Sequence, residues 1–351
     1  MTASENVNHP YIVENLPCLN DDGSYIDGVN LGFQMAAQLA GALNHHAMTC
    51  AFLNMVEAFP GVQAVHCYEV FNKACANGGH PQWLFRRFPL TLDDNYEDEN
   101  TNAIVALLFD NDERVLKRHY QGRDLTVFRV DDVTPKRVVL IDGALEDHYF
   151  SIVEGLYLVY ARQTSLLDTK ERDSLTHLLN RQSLEQTLSQ VKAYYLAKSL
   201  NNEVCNSSWL AVLDIDKFKQ INDTYGHIFG DEVLIHFANV LNEEMRFSDF
   251  LFRFGGEEFI IILNQVDAAG AATAFERYRK AVENYRFPAA NVTVSIGYTF
   301  IDHAKANEQL LEEADKAVYA AKTAGRNQVV NYQEMDHSYE ADSSDGDIEL
   351  F

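Results

Sequence analysis

Cysteine is scarce and poorly placed for crosslinking. Cys18, Cys50, Cys67, Cys75 and Cys205 are odd in number, irregularly spaced and without a C-x-x-C pair, which argues against a disulfide framework and against a zinc knuckle. Positive charge is also in short supply. With 28 Lys and Arg against 52 Asp and Glu, the formal charge of −24 repels a nucleic-acid backbone or an anionic membrane as main partner. No apolar run approaches the roughly 18 residues of a membrane-spanning helix. Met1 to Pro10 has neither the basic start nor the apolar centre of a secretory leader. These absences predict a soluble, cytoplasmic protein with free thiols, no membrane insertion and no nucleic-acid partner. The 351 residues, 47% of them hydrophobic, are enough for two packed domains.

The most telling stretch is Arg253-Phe254-Gly255-Gly256-Glu257-Glu258-Phe259, set between apolar runs at Phe250 to Phe252 and Ile260 to Leu263. Two runs joined by a Gly-Gly tip predict a β-hairpin, because glycine tolerates a positive φ and lets another molecule approach the backbone. Two successive carboxylates after the tip point to a metal or acid–base site, although a solvated hairpin tip accounts for them equally well when the hairpin is taken alone. A second stretch breaks the tie. Trp209-Leu210-Ala211-Val212-Leu213 reads as a buried strand and runs into Asp214-Ile215-Asp216-Lys217-Phe218-Lys219-Gln220-Ile221-Asn222-Asp223. Carboxylates at a strand end beside a carboxylate hairpin make a hard-oxygen site of the kind that holds magnesium against nucleotide phosphates. Tyr225-Gly226-His227-Ile228-Phe229-Gly230-Asp231 then sets two glycines and an Asp ahead of an amphipathic helix.

In this arrangement the sequence resembles the GGDEF family of diguanylate cyclases, in its GGEEF variant. The opening stretch Asp173-Ser174-Leu175-Thr176-His177-Leu178-Leu179-Asn180-Arg181 resembles the family's first signature, and Val292 to Gly297 its late core strand. Ala314 to Lys322 followed by Gly325-Arg326-Asn327 resembles its closing helix and turn. The motifs occur in family order over about half of the chain. The resemblance implies an α+β domain, a palm-like, mostly antiparallel sheet flanked by helices, over residues 174–333.

It also implies a reaction: two GTP condense to cyclic di-GMP and two pyrophosphates, with Mg²⁺ or Mn²⁺ as cofactor. Asp214 and Glu257 bind the metal through carboxylates and Ile215 through its carbonyl. Glu257 is also the family's proton acceptor, and Glu258 helps with a second metal. Asn222 and Asp231 read guanine, whose N1–H and amino group call for amide and carboxylate partners. Lys219, Lys322 and Arg326 meet the triphosphate and supply locally the positive charge that the composition lacks. His227 stands beside the base readers, where contact with GTP and mere packing are equally good readings. Arg246-Phe247-Ser248-Asp249 lies in register with the family's product-inhibition motif, so Arg246 and Asp249 are expected to bind cyclic di-GMP.

Ahead of this domain, residues 1–28 read as an arm, and residues 29–150 as a sensory domain. A helix is predicted from Leu31 to Phe59, ended by Pro60-Gly61, and strands at Val62 to Phe71, Ala103 to Phe109, Leu125 to Val130 and Arg137 to Ile141. A Gly78-Gly79 turn and an acidic loop at Asp93 to Glu99 lie between them, and a helix follows from about Asp147. The layout is similar to a GAF domain, with PAS as the alternative. His45, His46, His66, Cys67, His80 and His119 read as ordinary core or surface residues, and the N-terminal ligand is left unnamed. In the helical linker 151–173, Ile152, Leu156, Val159, Gln163 and Leu166 recur at four- and three-residue steps, the spacing of a coiled-coil seam, which predicts a homodimer; a helix packed on its own domain is the competing reading. Residues 334–351 are acidic and read as a disordered tail. The rival function is a receptor that binds cyclic di-GMP without making it; intact Asp214, Gly255, Gly256, Glu257 and Glu258 favour the enzyme. A weaker third reading is a sensor making a different cyclic nucleotide.

Overall fold

Where the spacing predicts one helix from Leu31 to Phe59, the chain forms two, α1 Gly28–Ala40 and α2 His45–Glu57. Asn44 is the cause. Its backbone is extended and its side chain accepts a hydrogen bond from the Ala47 N–H at 2.7 Å, which starts a fresh helix; Leu43, just before it, is exposed. The computed structural model describes residues 28–73, 82–88, 100, 101, 104, 113–200, 207–246, 248–288 and 291–335. They form two compact units that meet in sequence between Glu171 and Arg172. The arm (1–27), the Gly78-Gly79 turn, the acidic loop and the residues after Met335 lie outside the described residues, as do Cys18, Cys75, His80 and Cys205.

The N-terminal unit continues with β1 Val62–Lys73, β2 Gln82–Phe88, β3 Val115–Tyr120, β4 Arg123–Val130, β5 Lys136–Gly143 and α3 Asp147–Glu171. The sheet order is β2-β1-β5-β4-β3, with every neighbour antiparallel. Strand alternation feeds two cores. Cys67, Phe128, Val130, Val139 and Ile141 pack with α1, α2 and α3, whereas Tyr68, Leu125, Val127, Val138 and Leu140 form a second cluster with Leu116 and Ile104. Most of the strand expected over 103–109 lies outside the described residues, and Ile104 near its start is helical. Strands β2 and β3 were not expected, because Arg86-Arg87 and Lys117-Arg118-His119 interrupt their apolar pattern.

Helix α3 departs from the expected seam. Its buried stripe is Val153, Leu156, Tyr157, Tyr160, Thr164 and Leu167, and Leu156 belongs to the core of its own unit. Ile152 and Val159 pack partly against the same core, while Leu166 is 64% exposed. The two tyrosines rotate the buried face: the Tyr157 hydroxyl donates to the Arg129 carbonyl, and the Tyr160 hydroxyl lies 3.1 Å from Thr49 Oγ1. No described helix is long and apolar enough to cross a membrane.

The C-terminal unit runs β6 Leu179–Asn180, α4 Arg181–Leu200, β7 Ser207–Ile215, α5 Phe218–Tyr225, α6 His227–Glu244, β8 Phe250–Arg253, β9 Glu258–Val266, α7 Ala268–Asn284, β10 Val294–Phe300, α8 Asn307–Thr323 and β11 Val329–Asn331. Its sheet order is β11-β10-β7-β9-β8-β6, antiparallel except for the outer pairs β10/β11 and β6/β8. A mostly antiparallel sheet flanked by helices is the architecture expected. The short helix α5 and the edge strands β6 and β11 were not read from the sequence. Strand β7 is apolar from Trp209 to Leu213 because both faces are covered. Trp209, Ala211, Leu213 and Ile215 join the core that α6 and α7 build, and α8 packs across β7 and β10.

Candidate active site

Strand parity places the first acid. Leu213 and Ile215 belong to the core on one face, so Asp214 turns to the other, where α8 passes. There Lys322 Nζ lies 2.7 Å from Asp214 Oδ2, with Asp214 nearly buried and Lys322 about one-third exposed. Glu258 sits directly opposite Asp214 in the β7/β9 register, and the Ile215 N–H donates to the Glu257 carbonyl at 3.4 Å. The antiparallel pairing thus sets Asp214 and the Glu257-Glu258 pair side by side. Burial raises the pKa of all three carboxyls, against the opposing pull of Lys322; the Asp214 charge adds to the rise at Glu257 and Glu258, and Asp216 and Asp315 add to it at Asp214. Asp315 on α8 is raised likewise by burial, and it acts on both Asp214 and Glu258. Sequence reasoning passed over Asp315; one turn below Tyr319 in a helix full of charges, it carried no distinguishing signal.

The donor set fits a hard divalent cation. Asp214 and Glu257 offer carboxylates and Ile215 a carbonyl, and a cation between them would offset the burial and the neighbouring negative charge that raise their pKa values. Among the described residues no group of three or more His, Cys, Asp or Glu side chains converges as a ready-made metal cage. A site with two carboxylates and one carbonyl needs its remaining ligands from water and phosphate, which is the habit of magnesium.

The hairpin tip differs from its expected form. Neither Gly255 nor Gly256 takes a positive φ. A Cβ at Gly255 would meet only the end of the Glu258 side chain, 2.6 Å from its Oε2, an atom free to swing aside. Arg253 holds the tip from below: its Nη2 donates to the Gly256 carbonyl and its Nη1 to Asp173 Oδ1, both at 2.9 Å. Asp173 Oδ1 also accepts the Thr176 N–H and hydroxyl, each at 2.8 Å. The opening signature is therefore a mechanical part, a clamp on the hairpin. Burial works against the Asp173 carboxylate, but the bonds from Arg253 and Thr176 outweigh it and lower its pKa.

Of the expected base readers, Asn222 on α5 lies against Gly230, where a Cβ would come within 1.9 Å of Asn222 Oδ1. Asp231 is the next residue on α6, so the two are brought to one place; both Asp231 and His227 are exposed. Gly226, at φ 88, turns the chain between the two helices. Lys219 and Arg326 are exposed, and Arg326 sits in a left-handed turn just past Lys322. Arg246 is exposed and Asp249 buried; the Asp249 carboxylate accepts the N–H groups of Arg246, at 3.3 Å, and Asn264, at 3.0 Å. The histidines of the N-terminal unit have scattered partners: His66 Nδ1 meets Arg87, His119 meets Asp124, and His46 approaches Cys50.

Residues 170–328 match the family model described as Diguanylate cyclase, GGDEF domain. The C-terminal unit contains a GGDEF domain. The chain is 37% identical over 162 residues to Diguanylate cyclase DosC of Escherichia coli K12, covering 45% of this chain and 34% of that protein. It is 37% identical over 192 residues to Diguanylate cyclase A of Treponema denticola, 52% of this chain and 50% of that one. The matches thus span between a third and a half of these two relatives. The GGDEF domain of DgcB from Caulobacter crescentus, solved in complex with c-di-GMP, is 34% identical, covering 47% of this chain and 94% of that one, with a TM-score of 0.42. The GGDEF domain here bears the sequence Gly255-Gly256-Glu257-Glu258-Phe259 at the tip of its hairpin.

Proposed function

We propose that this protein is a diguanylate cyclase that condenses two GTP molecules into cyclic di-GMP. The observation that carries the reading is the juxtaposition of Asp214, Glu257 and Glu258 across the β7/β9 pairing, with Lys322 at 2.7 Å from Asp214. In each half-reaction a 3′-oxygen forms a bond to the α-phosphorus of the other GTP, the bond to the β-phosphate bridge breaks, and pyrophosphate leaves. Mg²⁺ would be held by Asp214, Glu257 and the Ile215 carbonyl, and supplies charge neutralisation at the phosphates when bound. Lys322 already stands at this place; with Lys219 and Arg326 it takes the polyphosphate. Asn222 and Asp231 read the guanine edge, with His227 beside them. Glu257, raised in pKa by burial and by Asp214, is suited to take the 3′-hydroxyl proton, and Glu258 would help to hold a second Mg²⁺.

The reading extends to regulation. The N-terminal unit, whose described residues include a five-stranded antiparallel sheet and the helices α1, α2 and α3, serves as a GAF-like or PAS-like sensory domain. Product binds at the Arg246–Asp249 turn, where the exposed Arg246 offers its guanidinium and the buried Asp249 holds the turn in shape. A homodimer presents two loaded sites to each other. The deciding experiment is incubation of the purified protein with GTP and Mg²⁺, followed by chromatography of the nucleotides. Cyclic di-GMP with two pyrophosphates per product supports the reading; no product, or a different cyclic nucleotide, refutes it.

A further inference from the structure

The two aspartates of Asp214-Ile215-Asp216 have different surroundings. Asp214 is paired with Lys322 and faces the carboxylates of the hairpin. Asp216 is 7% exposed and its oxygens are occupied: Oδ1 accepts from Ser295 Oγ at 2.7 Å, and Oδ2 accepts from Thr293 Oγ1 at 2.7 Å and from the Asn327 N–H at 3.0 Å. Its own N–H donates to the Thr293 carbonyl at 2.9 Å. With three donors on its carboxylate, Asp216 has little left to offer a metal. What it does instead is join three separate pieces of chain: the end of β7, the residues leading into β10, and the turn after α8.

That turn is an unusual one. Gly325, Arg326 and Asn327 follow one another at φ 121, 68 and 48, and left-handed backbone at two consecutive non-glycine residues persists only where the surroundings enforce it. The surroundings are on view. Asn327 is held by its N–H to Asp216, by its Oδ1 to Arg279 Nη1 at 2.7 Å and by its Nδ2 to Glu283 Oε1 at 2.7 Å. Arg326 N–H closes back onto the Ala321 carbonyl at 3.0 Å. The exposed Arg326 side chain is the part of the turn that none of these bonds engages.

We infer that Asp216 is a positioning residue that pins the Gly325–Asn327 turn to the end of β7, so that Arg326 and Lys322 address the polyphosphate of a nucleotide bound at Asp214. The inference rests on the cyclase reading above and adds to it a residue whose effect depends on phosphate number. A base-reading defect weakens GTP and GMP alike. A defect in this clamp weakens the triphosphate selectively, because GMP lacks the β- and γ-phosphates that Arg326 and Lys322 meet.

The test uses the full-length protein and Asp216→Asn, which keeps the side-chain shape and removes its charge. Amide exchange at Asn327 reads the clamp without any ligand, and calorimetry with 3′-deoxy-GTP, which cannot form the new bond, and with GMP, both with Mg²⁺, reads its consequence. Expected are faster exchange confined to the turn and a loss of about tenfold or more in 3′-deoxy-GTP affinity, the order of one charge-assisted hydrogen bond, with GMP affinity held within about twofold. In an Arg326→Ala background the same change should add little, since both act through one contact. Unchanged exchange at Asn327 overturns the clamp, whatever the protein binds. Equal losses for the two nucleotides, or additive losses with Arg326→Ala, overturn the polyphosphate assignment. Wild-type protein that binds neither nucleotide refutes the cyclase reading instead, and the exchange measurement still decides the clamp. Should Asp216→Asn fail to fold, Asp216→Ser carries the same comparison, since it too removes the carboxylate that accepts the Asn327 N–H.

Discussion

Glu257 sits where burial and the neighbouring Asp214 charge both oppose ionisation. Glu257→Gln removes a charge the fold does not want and the proposed chemistry needs. The expected result is a thermal midpoint at or above the wild-type value with pyrophosphate release reduced by about a hundredfold or more, in the range of a lost charge-stabilising group; a variant retaining most of its turnover would remove Glu257 from the mechanism. Asp173 shows the opposite sign. Burial opposes its ionisation, but Arg253 and Thr176 lower its pKa in the folded state. A carboxyl with a depressed folded pKa adds stability that is present above its unfolded value near 4 and is lost as the pH falls through the folded value. Asp173→Asn should therefore cost about 1–2 kcal/mol at neutral pH, and urea unfolding at stepped pH should show the gap to wild type closing below about pH 4. A gap independent of pH would mean that packing, not charge, holds the clamp.

At the scale of elements, the site depends on how closely α8 lies on the sheet. Gly297 in β10 permits this, for a Cβ there would meet Val318 N at 2.2 Å and the Ala314 carbonyl at 2.3 Å, both backbone atoms that cannot swing aside. Ala314, Ala317 and Ala321 supply the matching small face on α8 and are all fully buried. Because the helix carries Asp315 and Lys322, its height above β7 sets the Lys322–Asp214 distance. Gly297→Ala should destabilise the domain by about 3 kcal/mol through overpacking, lowering the midpoint by roughly 6–12 °C for a domain of this size, and calorimetric scanning would measure it. A shift under about 2 °C would show that α8 can lift without cost.

For the whole molecule, the proposed reaction sets the requirement: a product with two guanosines joined by two equivalent bonds needs two loaded sites facing each other. A two-fold assembly provides them. The structure changes which positions on α3 can serve such an assembly. Leu156 is core, so Leu156→Asp would unfold the N-terminal unit and say nothing about association. Leu166 and Leu158 are exposed, at 64% and 58%. Leu166→Asp should leave the fold intact, weaken the dimer in light scattering, and make specific activity climb with protein concentration, since productive encounters become bimolecular. A variant that is monomeric at every concentration yet keeps full, concentration-independent turnover would rule out the two-site assembly.

The sequence alone determined what depends on local spacing. Apolar runs, alternation and turn residues announced β1, β4, β5, β7 and the hairpin, and acids at a strand end and after the Gly-Gly tip marked Asp214, Glu257 and Glu258, because a polar group beside an apolar run is conspicuous. It misread what depends on distance through space. The helix expected from Leu31 to Phe59 breaks because one Asn44 cap outweighs a continuous apolar stripe. The α3 seam turned because Tyr157 and Tyr160, polar in a count, are buried once their hydroxyls find partners. Asp214 and Asp216 stand two apart in one stretch, and sequence reasoning assigned Asp216 no role; tertiary structure distinguishes their surroundings by bringing Thr293, Ser295 and Asn327, between 77 and 111 residues away, to Asp216 and Lys322 to Asp214. Hydrogen-bond partners that far along the chain leave no periodic signal, so only the folded arrangement decides which carboxylate is anchored and which remains open to a ligand.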